Sequence, residues 1–325
     1  MNDPKKPQIS AIIVTYMRPA GLVRCLECLL NQTVPLARII VVDNAPAMNR
    51  DTYNVCTMAL WNGLVQYVKN PLNSLPAGRN FGASLCETEF VALIDDDVRV
   101  GADYIARVLE VFRNEPHALG VQGYIEPPPL APLRELVHRT FCLYHHEKEY
   151  CRVLASVSTT YAKPLTAVAH CEWISGSNQV YRHWVLQQIK WDEQLLKYAD
   201  GEDLDHSFRV HCAWPGRLYI TPFAIVQHDE LPSGRALGYE LIAMREVYGW
   251  YLHHKLFEVR SSARLTYLWS RLGRLMAALC VAVTARRKGA ASELASLLRA
   301  YWFVIRHSRQ IRNGRLECFN VLLKK

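Results

Sequence analysis

The chain has 325 residues, half of them apolar, with ordinary glycine and proline contents and ten scattered cysteines. This composition excludes fibrous and disordered chains and is ample for a buried core, in one large domain or two closely joined ones. The formal net charge is +8, but residues 255–325 alone hold 15 Lys and Arg against 3 Asp and Glu. Scattered cysteines with a single Cys-x-x-Cys pair, Cys25 and Cys28, favour a reducing cytosol over a structural zinc site or a secreted fold.

Strands and helices alternate over the first hundred residues. The segment Met1–Ser10 is polar and has no apolar core, so we expect no signal peptide. The predicted elements are a strand at Ile9–Thr15, a helix at Pro19–Asn31, strands at Arg38–Asp43 and Gly63–Lys69, a helix at Gly78–Glu87 and a strand at Glu89–Ile94. This alternation predicts an α/β fold, with an open, mostly parallel twisted sheet flanked by helices.

Polar residues follow three of these strands at their carboxyl ends: Thr15, Asp43 and the triplet Asp95-Asp96-Asp97. Open parallel sheets bind ligands beyond these strand ends, so we expect a nucleotide site there. The sequence has no G-x-G-x-x-G after the first strand and no G-x-x-x-x-G-K-[ST] motif. These absences argue against a dehydrogenase and a P-loop NTPase.

The chain beyond Asp97 follows a less regular pattern. Pro127-Pro128-Pro129 marks a break, and Leu130–His170 is irregular. Strands or strand-loop units are predicted at Trp173–Asn178 and Arg217–His228, a helix at about Glu202–Cys212, and largely helical structure from Gly238 onward. We therefore expect three consecutive parts, residues 1–100, 101–237 and 238–325.

Two acidic clusters are the most informative local features. Three adjacent carboxylates after a buried strand repel one another unless they are exposed or neutralised by a cation. Carboxylate and phosphate oxygens suit Mg²⁺ and Mn²⁺, although a solvated acidic turn is an equal alternative. In Gly201-Glu202-Asp203-Leu204-Asp205, helix capping needs one acid rather than three, so at least one has another task. A lone His228 ends an apolar strand and is either a ligand or a structural histidine.

These pieces, taken in order, resemble the inverting family 2 glycosyltransferases with the GT-A fold. The matching segments are Ile12-Ile13-Val14-Thr15-Tyr16-x-Arg18, Ile39–Asp43-Asn44, Ala77-Gly78-Arg79-Asn80-x-Gly82, Leu93-Ile94-Asp95-Asp96-Asp97, Trp173-Ile174-Ser175-Gly176-Ser177-Asn178, Gly201-Glu202-Asp203-x-Asp205 and Val226-x-His228. The resemblance extends from about Ile9 to Arg235. Asn44 stands where many relatives have Asp, Gly or Ser. Leu130–His170 matches no family segment, which is compatible with an acceptor-specific insertion.

The resemblance implies a role for each matching residue. The nucleotide-sugar donor would be bound by Thr15, Tyr16, Arg18, Asp43, Asn44, Arg79, Asn80, Asp95 and Asp96. Asp97 and His228 would bind a divalent cation, Mn²⁺ or Mg²⁺, and Asp203 would be the general base that takes the acceptor hydroxyl proton. Acceptor-binding or supporting roles would fall to Trp173, Gly176, Ser177, Glu202 and Asp205, with a core position as the alternative for Trp173. Residues 1–100 would then be the donor-binding half, and residues 101–237 the acceptor-binding and catalytic half.

The C-terminal part, residues 238–325, combines apolar stripes with basic residues. Leu268, Leu272, Leu275, Met276, Leu279 and Val283 share one helical face, and Arg286-Arg287-Lys288 and further arginines follow. Basic amphipathic helices with Trp and Tyr suit an anionic membrane surface. The alternative for the stripes is a helical cap packed on the domain. No run is long enough to span a bilayer, and no recognised nucleic-acid motif occurs, so we expect no nucleic-acid partner.

Together these features predict a glycosyltransferase that extends a lipid-linked glycan in cell-surface polysaccharide synthesis. We expect it in the cytoplasm, peripheral on the inner face of the cell membrane. The alternatives are the same fold with a soluble glycan acceptor, a catalytically silent nucleotide-sugar-binding scaffold, and a nucleotidyltransferase. The last two are disfavoured because a silent protein has no need of Asp97, Asp203 and His228 together, and a nucleotidyltransferase does not explain the Gly-Glu-Asp cluster.

Overall fold

The computed structural model describes residues 9–61, 63–229, 236–257, 261–284 and 289–323. The polar segment 1–8 and the basic run Arg286-Arg287-Lys288 lie outside the described residues. The strands are β1 (Ile9–Thr15), β2 (Arg38–Asp43), β3 (Val65–Lys69), β4 (Phe90–Ile94), β5 (Val98–Val100), β6 (Gly120–Tyr124), β7 (His145–Glu147), β8 (Thr160–Ala162), β9 (Ala169–Cys171), β10 (Asn178–Arg182) and β11 (Leu218–His228). The helices are α1 (Pro19–Leu30), α2 (Arg50–Cys56), α3 (Leu75–Ser84), α4 (Tyr104–Asn114), α5 (Pro132–Thr140), α6 (His183–Gln188), α7 (Glu202–Ala213), α8 (Gly238–Phe257), α9 (Ser261–Thr284), α10 (Ala290–Arg312) and α11 (Glu317–Leu323), with a 3₁₀ turn at Ala59–Trp61.

Two compact units make up the chain. Unit 1 contains Met1–Glu126, Pro164–Glu193 and Glu202–Arg235, and unit 2 contains Pro127–Lys163, Gln194–Gly201 and Ala236–Lys325. Neither unit is continuous in sequence. The predicted boundaries at residues 100 and 237 stay a prediction.

Unit 1 is built on a nine-stranded sheet with the order β3-β2-β1-β4-β10-β6-β11-β5, and β9 pairs with β11. Strands β3, β2, β1 and β4 are parallel, as predicted, and β6 is parallel to β11. Strand β10 runs antiparallel between β4 and β6. The predicted open, mostly parallel sheet is therefore confirmed.

Apolar strands and helix faces form the core around this sheet. β4 is buried along its whole length, and all but one residue of β1 is buried. Helix α1 buries Leu22, Leu26 and Leu29. Helix α3 packs so closely that a Cβ on Gly82 would lie 2.6 Å from Ile12 Cγ2. A glycine at this position therefore lets the helix approach the sheet.

The structure differs from the sequence prediction in several places. Helix α3 begins at Leu75 rather than Gly78, because Ser74 caps it and Pro76 occupies its first turn. Helices α2 and α4 and strands β5 and β6 had not been predicted. Residues 173–177, predicted as a strand or strand-loop unit, form a loop before β10.

Unit 2 contains most of the region that the sequence pattern left unplaced, because Pro127–Lys163 belong to it and residues 164–170 belong to unit 1. Within 130–170 lie α5 and the parallel pair of β7 and β8. The predicted helical region is confirmed as α8–α11. Phe141 packs against Gly273 of α9, where an added Cβ would lie 2.3 Å from the Phe141 ring. In the residues described, no helix combines the length and the apolar character needed to cross a membrane.

Candidate active site

The short antiparallel ladder of β5 and β11 brings His228 to the acidic triplet. His228 pairs with Val98, and the Asp229 N–H donates to the Asp97 carbonyl at 2.9 Å. As a result His228 Nε2 lies 3.0 Å from Asp97 Oδ1. One ligand atom from each of Asp95, Asp97 and His228 lies within 4.8 Å of the others. The two residues predicted to bind metal thus lie together, with Asp95 as a third oxygen donor.

Arg18 and Thr15 flank the triplet after β1. Arg18 Nη1 lies 2.8 Å from Asp96 Oδ1 and 3.1 Å from Asp97 Oδ2. Thr15 Oγ1 donates to Asp96 Oδ2 at 2.6 Å. Burial raises the pKa of Asp96 to about 6, while Arg18 and Thr15 act to lower it. Tyr16 is half-buried in the same turn.

Asp43 and Asn44 lie at the end of β2, next to Thr15 of β1. Asp43 is fully buried, and its carboxylate accepts hydrogen bonds from the Ala45 N–H at 2.8 Å and the Tyr67 O–H at 2.7 Å. Asn44 Oδ1 accepts from Asn70 Nδ2 at 2.6 Å. Both residues lie where a donor site was predicted. The Asp43 carboxylate and Asn44 Oδ1 are hydrogen-bonded to neighbouring residues of the protein.

Arg79 joins the two acidic clusters. Its side chain is 2% exposed, and Nη1 forms an ion pair with Glu202, which lies 123 positions away in the sequence. Nη2 donates to Asp95 Oδ1 at 3.2 Å and to the Gly176 carbonyl at 2.8 Å. Burial acts to lower the pKa of Arg79, but Glu202 and Asp95 outweigh it and raise this pKa. The residue predicted to contact the donor is therefore bound on both nitrogens by the protein itself.

Gly176 connects Arg79 to Asp203. The Gly176 N–H donates to Asp203 Oδ2 at 2.8 Å, and the Leu204 N–H donates to Asp203 Oδ1 at 2.8 Å. An added Cβ on Gly176 would lie 3.0 Å from Arg79 Nη2 and 3.1 Å from Asp203 Cβ. A glycine is needed here because Arg79 and Asp203 both approach its backbone.

Glu202 and Asp203 are sequence neighbours in different surroundings. Glu202 is 5% exposed, and its Oε2 has no hydrogen-bond partner in the described part of the chain. Burial raises the pKa of Glu202 to about 8, against the opposing effect of Arg79. Asp203 is half-buried and is held by two backbone N–H groups. Of the two carboxylates, Asp203 is the more accessible.

Asn80, a predicted donor-binding residue, binds the chain around Trp191. Its Nδ2 donates to the Trp191 carbonyl at 3.0 Å, and its Oδ1 accepts from the Trp191 N–H at 2.9 Å. The Trp191 ring stacks on His206 with centroids 3.8 Å apart, and Arg79 lies 5.9 Å from its centroid. Trp191 was not among the predicted site residues, since a single Trp 111 positions from Asn80 carries no local signal.

Three further predicted residues lie in the interior of unit 1. Trp173 is 8% exposed, a position that favours core packing over stacking on a sugar. Ser177 is buried, and its carbonyl accepts the Asp95 N–H at 3.0 Å. Asp205 is fully buried and forms an ion pair with Arg209 at 2.6 Å.

Comparison with known families identifies the fold that carries this site. The sequence model of glycosyl transferase family 2 matches residues 10–152, which include most of β1, the acidic triplet and Arg79. The match spans less than half of the chain. The predicted resemblance to the family 2 glycosyltransferases is confirmed over these residues.

Two curated proteins resemble this chain in sequence. Glucosyl-dolichyl phosphate glucuronosyltransferase of Haloferax volcanii is 28% identical over 138 residues, which is 41% of this chain and 43% of that protein. Succinoglycan biosynthesis protein ExoM of Rhizobium meliloti is 25% identical over 292 residues, or 85% of each chain. The match thus spans less than half of the Haloferax protein and most of the Rhizobium protein.

Solved structures share the fold at low sequence identity. GalNAc-T7 with UDP, GalNAc and Mn²⁺ has a TM-score of 0.54 at 16% identity, covering 87% of this chain and 59% of that one. Mannosyltransferase PcManGT from Pyrobaculum calidifontis, in complex with GDP-Man and Mn²⁺, has a TM-score of 0.51 at 12% identity, covering 98% and 87%. The predicted GT-A fold is confirmed.

Proposed function

We propose that this protein is an inverting, cation-dependent glycosyltransferase that moves a sugar from a nucleotide-sugar to an acceptor hydroxyl. The main observation in support is that the two acidic clusters are connected. Asp95, Asp97 and His228 form a trio, and hydrogen bonds through Arg79 and Gly176 connect this trio to Asp203. These are the groups that a donor diphosphate and an acceptor hydroxyl require. Structural neighbours bound to UDP or GDP-Man support the donor class.

The trio of Asp95, Asp97 and His228 fits a divalent cation. Two carboxylate oxygens and an imidazole nitrogen within 4.8 Å of one another are ligands that Mn²⁺ and Mg²⁺ accept. Burial raises the pKa of Asp95 and Asp97 adds to that effect, while Arg79 and His228 act to lower it. A bound divalent cation would offset negative charge on the leaving nucleoside diphosphate. Mn²⁺ in both structural neighbours supports this assignment.

Residues of the chain itself would neutralise charge, accept the proton and position the reacting groups. Arg18 partly neutralises Asp96 and Asp97, which lowers the repulsion that an approaching diphosphate meets. Asp203, held by two backbone N–H groups, accepts the proton of the acceptor hydroxyl as that oxygen attacks the anomeric carbon. Attack on the face opposite the leaving group inverts the anomeric configuration. Arg79 positions Asp95 and the Gly176 backbone, and through Gly176 it orients Asp203.

We further propose that the acceptor is a lipid-linked glycan in cell-surface polysaccharide synthesis. The resemblance to a succinoglycan biosynthesis protein over 85% of both chains supports this class. The excess of positive charge in residues 255–325 supports a peripheral site of action on the inner face of the cell membrane.

A thermal-shift panel of nucleoside diphosphates, with and without Mn²⁺, tests the donor site. The nucleoside diphosphate with the matching nucleobase should raise the melting temperature, and only when the metal is present. Asp97→Asn should abolish this shift, whereas Asp229→Asn should not, because Asp229 binds Arg99 beside His228 rather than facing the trio. An equal shift with metal and with chelator would contradict the metal role. NMR of the product made with a soluble glycan acceptor then reports whether the anomeric centre is inverted.

A further inference from the structure

Helix α9 of unit 2 exposes a continuous apolar face. Its members, between 45% and 77% exposed, are Leu265, Leu268, Trp269, Leu272, Met276, Leu279 and Val283. At 100° per residue they lie within an arc of roughly 120°. The face extends along nearly the whole helix and includes no charged residue. Exposed apolar surfaces of this extent mark interaction sites in soluble proteins.

The charges of α9 lie away from this face. Arg271 and Arg274 turn towards α8, where each lies 3.0 Å from a carboxylate oxygen of Glu246, which is 1% exposed. Ala263, Tyr267 and Ser270 are buried on the same side. Packing as a helical cap therefore accounts for one side of α9 and leaves the apolar face unexplained.

The end of helix α5 contacts Trp269, and α5 has exposed apolar residues of its own. Trp269 Nε1 donates to the Thr140 carbonyl at the end of α5 at 2.7 Å, and the Trp269 ring stacks on Phe141 with centroids 4.7 Å apart. On α5, Leu133 is 73% exposed and Leu136 is 61% exposed. The polar atom of Trp269 is thus satisfied within the protein while part of its ring faces outward.

Unit 2 also carries an excess of exposed positive charge. Arg264 on α9 is exposed, and α10 exposes Arg306, Arg309 and Arg312, which line one groove with Ile305. Trp302, one turn before Arg306, is 62% exposed. Helices α9 and α10 contain one acidic residue, Glu293. Aliphatic residues and tryptophan combined with arginines complement a surface with an apolar interior and anionic head groups.

We infer that the α9 face is a docking surface for an anionic lipid bilayer, with α9 lying along the membrane interface. A helix of 24 residues is about 36 Å long. A second copy of the chain would cover the apolar face but would leave the arginines without opposite charge. The inference rests on the proposed function for the membrane as the site of action, and it is tested separately because lipid binding is measured without sugar transfer.

Vesicle flotation of the full chain tests this surface. The probes are phosphatidylcholine vesicles with and without phosphatidylglycerol, at low and at high salt. The wild type should float with anionic vesicles and bind less at high salt, because salt screens the arginines. The double variant Leu272→Glu, Met276→Glu should bind at least about tenfold more weakly, since two charges would enter the apolar layer.

The chain offers a matched control in unit 1. Met58 and Leu60 are 42% and 63% exposed, so Met58→Glu, Leu60→Glu adds the same charges at the same residue types elsewhere. This control should float like the wild type. Equal flotation of the α9 variant and the control would overturn the inference, as would a wild type that stays with the soluble fraction. A wild-type dimer that the α9 variant converts to a monomer would assign the face to self-association instead. Transfer to a soluble acceptor should be unchanged in both variants, which separates this test from failure of the proposed function.

Discussion

At the scale of single residues, the adjacent carboxylates of Glu202 and Asp203 lie in different environments. Glu202 is buried against Arg79, whereas Asp203 is half-buried and its carboxylate accepts hydrogen bonds from two backbone N–H groups. A base must reach the acceptor hydroxyl, so accessibility favours Asp203. Separation of two carboxylates by environment is a common way to divide their roles.

Asp203→Asn should lower turnover by about 10²–10⁴-fold, because a general base contributes on this order to rate. Donor affinity should change little, since the base acts mainly in the transition state. Steady-state kinetics together with nucleotide titration by calorimetry would check both quantities. Near-wild-type turnover would exclude Asp203 as the base and make Glu202 the next candidate.

The buried pair of Arg79 and Glu202 predicts strongly coupled substitutions. Arg79→Met leaves Glu202 buried without its partner, which should cost about 3–5 kcal/mol of the free energy of unfolding. The double variant Arg79→Met, Glu202→Leu should recover part of this loss. Its turnover should stay low, because Asp95 and the Gly176 carbonyl still lack Arg79. Urea unfolding and kinetics of the same variants check this; strictly additive stability losses would show that the pair is uncoupled.

At the scale of elements, β11 decides where His228 lies. It runs parallel to β6 as far as Thr221, changes register before Ile225, and then pairs with β5 beyond Asp97. The change of register occurs where Gly123 of β6 meets the backbone: an added Cβ would lie 2.5 Å from the Ala224 carbonyl oxygen. The close approach of these two backbones thus sets the position of His228, which lies four residues after Ala224 in the sequence.

Gly123→Ala should therefore destabilise unit 1 by about 1–3 kcal/mol, the usual cost of overpacking. It should also weaken metal-dependent nucleotide binding, because β11 must shift to relieve the clash. Gly101→Ala is a matched control, since its Cβ would meet nothing closer than 3.5 Å. Thermal unfolding and the Mn²⁺-dependent nucleotide shift would measure both effects. Equal behaviour of the two variants would contradict this account of β11.

At the scale of the whole molecule, the two units differ in chemistry. Unit 1 contains the buried acids and arginines of the candidate active site, and unit 2 contains the basic helices and an aromatic cluster around His253. His253 of α8 is 2% exposed and its Nδ1–H donates to the Ala155 carbonyl at 2.9 Å. Burial lowers its pKa from 6.5 to about 4.

Stability should consequently fall as the pH drops from 6.5 towards 4. Over this range the unfolded chain takes up a proton at this position and the folded chain does not, so the contribution present above 6.5 is lost. When His253 is fully protonated in the unfolded chain only, the free energy of unfolding should be lower by at most about 3 kcal/mol. His253→Asn, which keeps a donor but does not titrate, should show a shallower loss in thermal unfolding across the same pH range. An identical slope in variant and wild type would exclude His253 as a source of acid sensitivity.

Local patterns alone predicted the framework of this protein. Runs of β-branched residues predicted β1, β2 and β4 because a buried parallel strand needs apolar side chains on both faces. The order of short motifs predicted the family, and Thr15, Asp43 and Asp97 lie at strand ends as expected. Helix α3 shows the limit of that approach, since its start was set by Ser74 and Pro76 rather than by the glycine-rich segment.

The tertiary structure decided which residues act together and which surfaces are covered. Sequence could not pair Arg79 with Glu202 or Asn80 with Trp191, because each contact joins residues more than 100 positions apart. It could not assign Pro127–Lys163 to the same unit as the C-terminal helices. Helical spacing identified the apolar stripe of α9 but not whether protein covers it. Spacing reports which side chains share a face, whereas burial and ion pairing depend on what the rest of the chain brings against that face.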